Sequence, residues 1–244
     1  MSQQLTVYVA KSSPFSHRVA IALEMAKAPH TRHEIDLKNK PEWFTSKVNP
    51  TGQCPALTYG GPVVPADQPS PESVKLRESL VLVEFIADLY PAAGILPADP
   101  VLRAKARLFI DAITQTFSGA SHAAIRALMH AGGDPEPLLA ALERLQALLP
   151  PTGFAIGEFS AADIAIAPQI IRSELSFEHN LIGPSGSQDG QRILALMREP
   201  RLARWAEYRK AIQAHPAVRS TFDEEYVLES LKARAVAMRA QGSA

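Results

Sequence analysis

The sequence predicts a small α/β domain followed by an all-α domain, and three observations carry that prediction. Before Tyr90, short β-rich runs alternate with segments of helical spacing. From Pro100 onward every strong pattern repeats with the helical period. Between them, Pro91 to Pro100 gathers Pro, Gly and Asp, which interrupt both periods and mark a linker. The expected domains are therefore 1–92 and 100–244.

Each element follows from its own residues. Leu5-Thr6-Val7-Tyr8-Val9-Ala10 alternates and is rich in strand formers, so it reads as a first strand. Ser13-Pro14 then precedes Phe15, Val19, Ala20, Ile21, Leu23 and Ala26 at helical spacing, the arrangement of an N-cap with proline in the first turn. His33 to Leu37 reads as a second strand, and a short helix from Pro41 carries Trp43 and Phe44 until Asn49-Pro50-Thr51-Gly52 stops it. Pro55 to Tyr59 and Ser73 to Leu76 read as two more strands, joined by a long proline-rich excursion from Tyr59 to Ser73 expected at the surface. Ser79 is expected to cap an amphipathic helix that runs to Tyr90. Six helices are expected beyond the linker: Ala104 to Phe117, Pro137 to Leu149, Asp163 to Leu175, Gln191 to Met197, Leu202 to His215 and Asp223 to Met238. Ser160-x-x-Asp163, flanked by Phe159 and Ile164, fits a capping box with a hydrophobic staple and reads as folding machinery.

Composition narrows the function classes. Lys+Arg and Asp+Glu both number 25, so the chain lacks the global basic field that favours nucleic acid or an anionic membrane, and neither partner is expected. Cys54 stands alone, which rules out an intramolecular disulfide, a CxxC pair and a cysteine-rich metal site. No apolar run approaches the ~18 residues of a membrane span, and Met1 to Leu5 lacks a charged leader. A soluble cytoplasmic protein without a metal is the expectation.

Four local motifs carry chemistry. Ser12-Ser13-Pro14-Phe15-Ser16-His17-Arg18 opens the first helix, and Lys38 to Phe44 leads to Asn49-Pro50. Gln53-Cys54-Pro55-Ala56-Leu57 enters the third strand, and Glu78-Ser79 opens the helix after the fourth. Their types, order and placement resemble the omega class of glutathione transferases, with Ser13 at the position where omega enzymes carry cysteine. Phe159 to Ile164 extends the resemblance into the second half, so it spans nearly the whole chain.

The resemblance implies a thioredoxin-like first domain that binds glutathione as co-substrate. Ser13 would activate its thiolate, Phe15 would pack beside the peptide, and Lys40 would reach the glycyl carboxylate. Pro55 would be a cis-proline that turns the Cys54 backbone toward the cysteinyl group, the Cys54 thiol itself being structural. Glu78 would take the γ-glutamyl ammonium while Ser79 and its helix amides take the carboxylate. The second substrate, a small hydrophobic or aromatic electrophile, is expected between Ser13 and the helical domain, against Thr114, Phe117, Ser118 and Arg172, with Glu174 nearby. A homodimer is also implied. Serine cannot form the mixed disulfide open to a cysteine, so conjugation or peroxide reduction is expected in place of thiol exchange. Two other readings stand beside this one. The first is a ligandin that stores hydrophobic or polyphenolic compounds with residual transferase activity. The second, a non-catalytic regulator or channel-like relative, is disfavoured because the candidate glutathione contacts are all in place.

Overall fold

The computed structural model describes residues 3–116 and 119–242, which divide into two compact units meeting at Leu96 and Pro97. In the first unit Leu5–Val9 forms β1, and every residue of it is buried. β1 lies inside the sheet with cover on both sides, so even Thr6 is withdrawn from water. Thr31–Glu34 forms β2, Ala56–Tyr59 β3 and Val74–Arg77 β4. The sheet order is β2-β1-β3-β4, with β1 and β2 parallel and the other neighbours antiparallel. The second strand begins and ends earlier than expected. It stops where β1 stops: Ile35 N–H makes one last bond to Val9 O at 2.8 Å, after which no neighbouring strand remains to pair with.

Helix α1 spans Pro14–Ala26 and leaves the sheet after β1, ending at Lys27 in the left-handed region with φ 46°. Helix α2 covers Glu42–Lys47, and α3 covers Ser79–Leu89 and packs on α1. One expectation is corrected here. Glu78, not Ser79, occupies the cap position of α3, with no side-chain cap bond, and Ser79 is already in the first turn. A core of Tyr8, Ile35, Phe44, Val48 and Ala56, with Trp43 and Cys54 packed on it, fills one face of the sheet.

The excursion between β3 and β4 is tied down. The Gln4 amide donates to Val64 O at 2.8 Å and accepts from Val64 N at 3.0 Å, while Tyr8 Oη donates to Ala66 O at 2.8 Å. The Lys75 ammonium closes its far end on the carbonyls of Ser70, Pro71 and Ser73.

The second unit is helical: α4 Pro100–Thr116, α5 Gly119–Ala131, α6 Glu136–Gln146, α7 Ala161–Glu178, α8 Asp189–Leu196, α9 Ala203–Ala214, α10 Pro216–Ser220 and α11 Glu224–Gly242. α7 is its axis, buried along most of its length and packed against α4, α8, α9 and α11. Sequence periodicity passed over α5, because its alanines and glycine give no contrast and its apolar face rests on Ile125 and Leu128. The capping box at Ser160 is present. No helix among the described residues is long and apolar enough to cross a membrane.

Candidate active site at one end of the sheet

The ladder decides which loops meet. Tyr8 pairs with Ala56 across β1 and β3, and Ala56 pairs with Arg77 across β3 and β4. Tyr8 is also opposite His33 in the parallel pair. These four residues form one row near the end of the sheet from which β1 departs toward α1. The Ser13 turn, the loop carrying Lys40, the Cys54–Pro55 entry to β3 and the Glu78–Ser79 exit from β4 therefore all emerge at that end.

Ser13 is buried at the cap of α1 in an extended conformation. Its Oγ accepts from Ser16 N at 3.3 Å, and Ser16 Oγ accepts in turn from Ala10 N at 3.1 Å, so the turn after β1 is fixed from both sides. The first turn of α1 holds no acidic residue, which leaves the positive end of the helix dipole uncompensated by its own side chains. A hydroxyl that accepts one bond still has its proton to donate. Phe15 follows on the surface, about half exposed, with the Arg18 guanidinium 5.1 Å from its ring centre.

The Cys54–Pro55 peptide is cis. The turn before it is pinned by Asn49, which is buried, donates to Gln53 O at 2.8 Å and accepts from Thr51 N at 3.2 Å and Thr51 Oγ1 at 2.9 Å. Lys40 lies over this turn. A Cβ on Gly52 would stand 3.4 Å from Lys40 Nζ, an ordinary contact, and it is φ at +64° that suits the position to glycine. Burial pushes the Cys54 thiol up to about 11, only partly offset by the nearby Lys40 ammonium. At neutral pH that thiol is a poor nucleophile.

Glu78 is exposed and sits at φ 69°, ψ 109°, a region where residues other than glycine are strained. Ser79 is buried, and its Oγ accepts from Arg18 at 3.2 Å, which ties the start of α3 to α1. The sequence alone assigns Arg18 no role. The signal in the sequence is a charge between Phe15 and the apolar run Val19 to Leu23, a position that calls for a buried partner.

The residues expected around the second substrate belong to the other unit. Thr114 is exposed on α4 and its hydroxyl bonds Ile110 O at 2.9 Å, within its own helix. Arg172 is buried on α7, where its guanidinium lies 5.4 Å from the Phe222 ring and donates to Pro168 O at 3.2 Å. Glu174, also buried on α7, forms an ion pair with Arg209. Phe117 and Ser118 lie outside the described residues.

Comparison with known proteins fits this geometry. The family model for the glutathione S-transferase N-terminal domain matches residues 12–89, from the turn at Ser13 to the end of α3. Among solved structures, glutathione transferase Omega 1C from Trametes versicolor is 47% identical, with a TM-score of 0.89 over 97% of this chain and 98% of that one. Omega 2S from the same organism, solved with 2,4-dihydroxybenzophenone, is 42% identical over 96% of this chain and 100% of that one, with a TM-score of 0.86. Curated relatives match in part. Pyrimidodiazepine synthase of Drosophila melanogaster is 32% identical over 57% of this chain and 51% of its own length. Glutathione S-transferase omega-2 of Homo sapiens is 31% identical over 44% of this chain and 39% of its own. The chain thus spans about half of the first of these relatives and 39% of the second. Its near full-length match to the Trametes versicolor structures, joined to the thioredoxin-like sheet and the motif order along it, shows that this chain belongs to the glutathione transferase family, with the omega class as its relatives.

Proposed function

We propose that the protein is a transferase in which Ser13 holds the thiolate of bound glutathione for attack on an electrophile or a peroxide. The observation that carries this reading is the meeting of the Ser13 cap, the cis Cys54–Pro55 corner and the Glu78–Ser79 start at one end of one sheet. In this arrangement Glu78 takes the γ-glutamyl ammonium, and Ser79 with the first amides of α3 takes its carboxylate. Lys40 faces the glycyl carboxylate, the Cys54 backbone meets the cysteinyl group beside Pro55, and Phe15 borders the peptide. Thr114, Phe117, Ser118 and Arg172 are the proposed contacts of the second substrate. A cytoplasmic homodimer completes the reading.

The energetics are sufficient. Lowering a thiol from pKa about 8.5 by two units takes roughly 2.7 kcal/mol. A hydrogen bond to a charged acceptor contributes about 1.5–3 kcal/mol, and a helix N-terminus adds about 0.3–1 kcal/mol. The Ser13 hydroxyl and the open start of α1 together reach that range. With serine at this position and the Cys54 thiol pushed up by burial, neither side chain is suited to thiol–disulfide exchange, which favours conjugation.

Storage of aromatic compounds is the second reading, favoured by the dihydroxybenzophenone bound to the Trametes versicolor relative. One set of variants separates the two. Wild type, Ser13→Ala and Ser13→Cys are assayed for conjugation of an aromatic halide and for reduction of a glutathione mixed disulfide. On the transferase reading Ser13→Ala lowers conjugation at pH 7 by up to about 25-fold, the fall in thiolate fraction when the thiol pKa rises by two units to about 8.5. Ser13→Cys exchanges conjugation for disulfide reduction. Unchanged conjugation in Ser13→Ala leaves Ser13 a helix cap and makes storage the better account.

A further inference from the structure

Arg18 is buried one turn into α1 beyond Ser13, and it reaches across to α3. Its Nη1 donates to Ser79 Oγ at 3.2 Å while its other side lies against the Phe15 ring. Burial lowers the guanidinium to about 10, which still leaves it charged at neutral pH. A guanidinium has donors and no acceptor, so in this bond the Ser79 oxygen must accept. The single hydroxyl proton of Ser79 is then directed away from Arg18, free to be donated.

We propose that Arg18 is a positioning residue for glutathione: it fixes the Ser79 hydroxyl as a donor to the γ-glutamyl α-carboxylate and places a positive charge beneath that helix start. The inference rests on the reading of Ser79 given above. Arg18 links the helix that starts at Ser13 to the helix that starts beside Glu78, so the cysteinyl and γ-glutamyl parts of the same peptide are held by one rigid pair.

The test compares wild type, Arg18→Met, Arg18→Lys, Ser79→Ala and the Arg18→Met/Ser79→Ala double variant with one aromatic halide. Two thiols are used, glutathione and cysteinylglycine, which lacks the γ-glutamyl group. Arg18→Met should raise the KM for glutathione about tenfold or more while kcat at saturation stays within about twofold, as expected for one lost charge-assisted bond in binding. Arg18→Lys should recover part of the loss. Turnover of cysteinylglycine should be unchanged by either variant, and the double variant should be no worse than the weaker single one. Equal losses for both thiols, or losses at 18 and 79 that multiply in full, would reduce Arg18 to a packing residue and overturn the proposal. An unaltered KM in Ser79→Ala has a different meaning, because it removes the reading of Ser79 itself and Arg18's role falls with it. If Arg18→Met does not fold, the thiol comparison in Arg18→Lys decides.

Discussion

Among the described residues, two helices are capped by a serine side chain, and the two caps are built to opposite ends. At α7, Ser160 is sealed. Its backbone N–H and its hydroxyl both donate to Asp163 Oδ2, at 2.9 and 3.2 Å, and its oxygen accepts from Ala162 N at 3.3 Å. Asp163 Oδ1 takes Ala155 N and Tyr208 Oη, both at 2.9 Å, so the carboxylate gathers four donors. At α1, Ser13 also accepts one amide at 3.3 Å, but no carboxylate stands in the first turn to take its proton. A cap whose donors are consumed is architecture, whereas a cap with a proton to spare can serve a ligand. The distinction lies in the neighbours, since the capping residue is the same.

The comparison breaks most sharply at Asp163. Asp163→Ala leaves four buried donors without their acceptor, and a loss of about 3–5 kcal/mol in unfolding free energy follows from the cost of orphaned polar groups. Ser13→Ala should cost only about 1 kcal/mol, the value of a single cap, while turnover drops far more. Urea unfolding of both variants checks this. Similar stability losses at the two starts would show that Ser13 is as much architecture as Ser160.

A pH series sharpens the same contrast. Burial pushes the Asp163 carboxyl up to about 6, against the pull of its four donors. A carboxyl raised above its unfolded value of 3.8 favours the folded state most when protonated, so that stability is full below about pH 4 and is lost as pH rises through 6. Asp163→Asn cannot titrate. The gap in unfolding free energy between wild type and Asp163→Asn should therefore move by roughly 2 kcal/mol between pH 4 and 7, with wild type losing ground. A gap that is flat, or that moves the other way, means that the donors outweigh burial and the group is ionised throughout.

How much of this was legible beforehand follows the range of the forces involved. The cap at Ser13 and the box at Ser160–Asp163 were readable because each is closed within a few residues of chain. The helix over Gly119–Ala131 was not, since small residues carry no periodic contrast. The end of β2 was misplaced because it is set by where β1 ends, a fact of pairing and not of His33 to Leu37. The row that brings Tyr8, Ala56 and Arg77 together is a register, and registers are tertiary. The same limit hides Ser79 as a partner of Arg18, because it lies 61 residues away. Glu78 was legible as a residue type but not as a cap, because nothing in Arg77-Glu78-Ser79 announces a positive φ.

That third helix start supplies the smallest effect. Glu78 caps α3 with φ 69° and makes no side-chain cap bond, so its conformation has no local reward. Strain of this kind costs on the order of 1–3 kcal/mol, and glycine relieves it at an entropic cost of about 0.5–1 kcal/mol. Glu78→Gly should therefore raise stability by about 1 kcal/mol, which for a chain of this size is a rise of roughly 2–4 °C in Tm. The KM for glutathione should rise at the same time through loss of the carboxylate. Glu78→Gln separates the two effects, because it keeps the strained residue and removes the charge, weakening glutathione without the gain in Tm. A Glu78→Gly protein that melts no higher than wild type would place the compensation for this backbone in the fold itself. One that melts higher and binds glutathione less well would mean that the strain is kept to aim the carboxylate, the counterpart of the part proposed for the Ser13 proton.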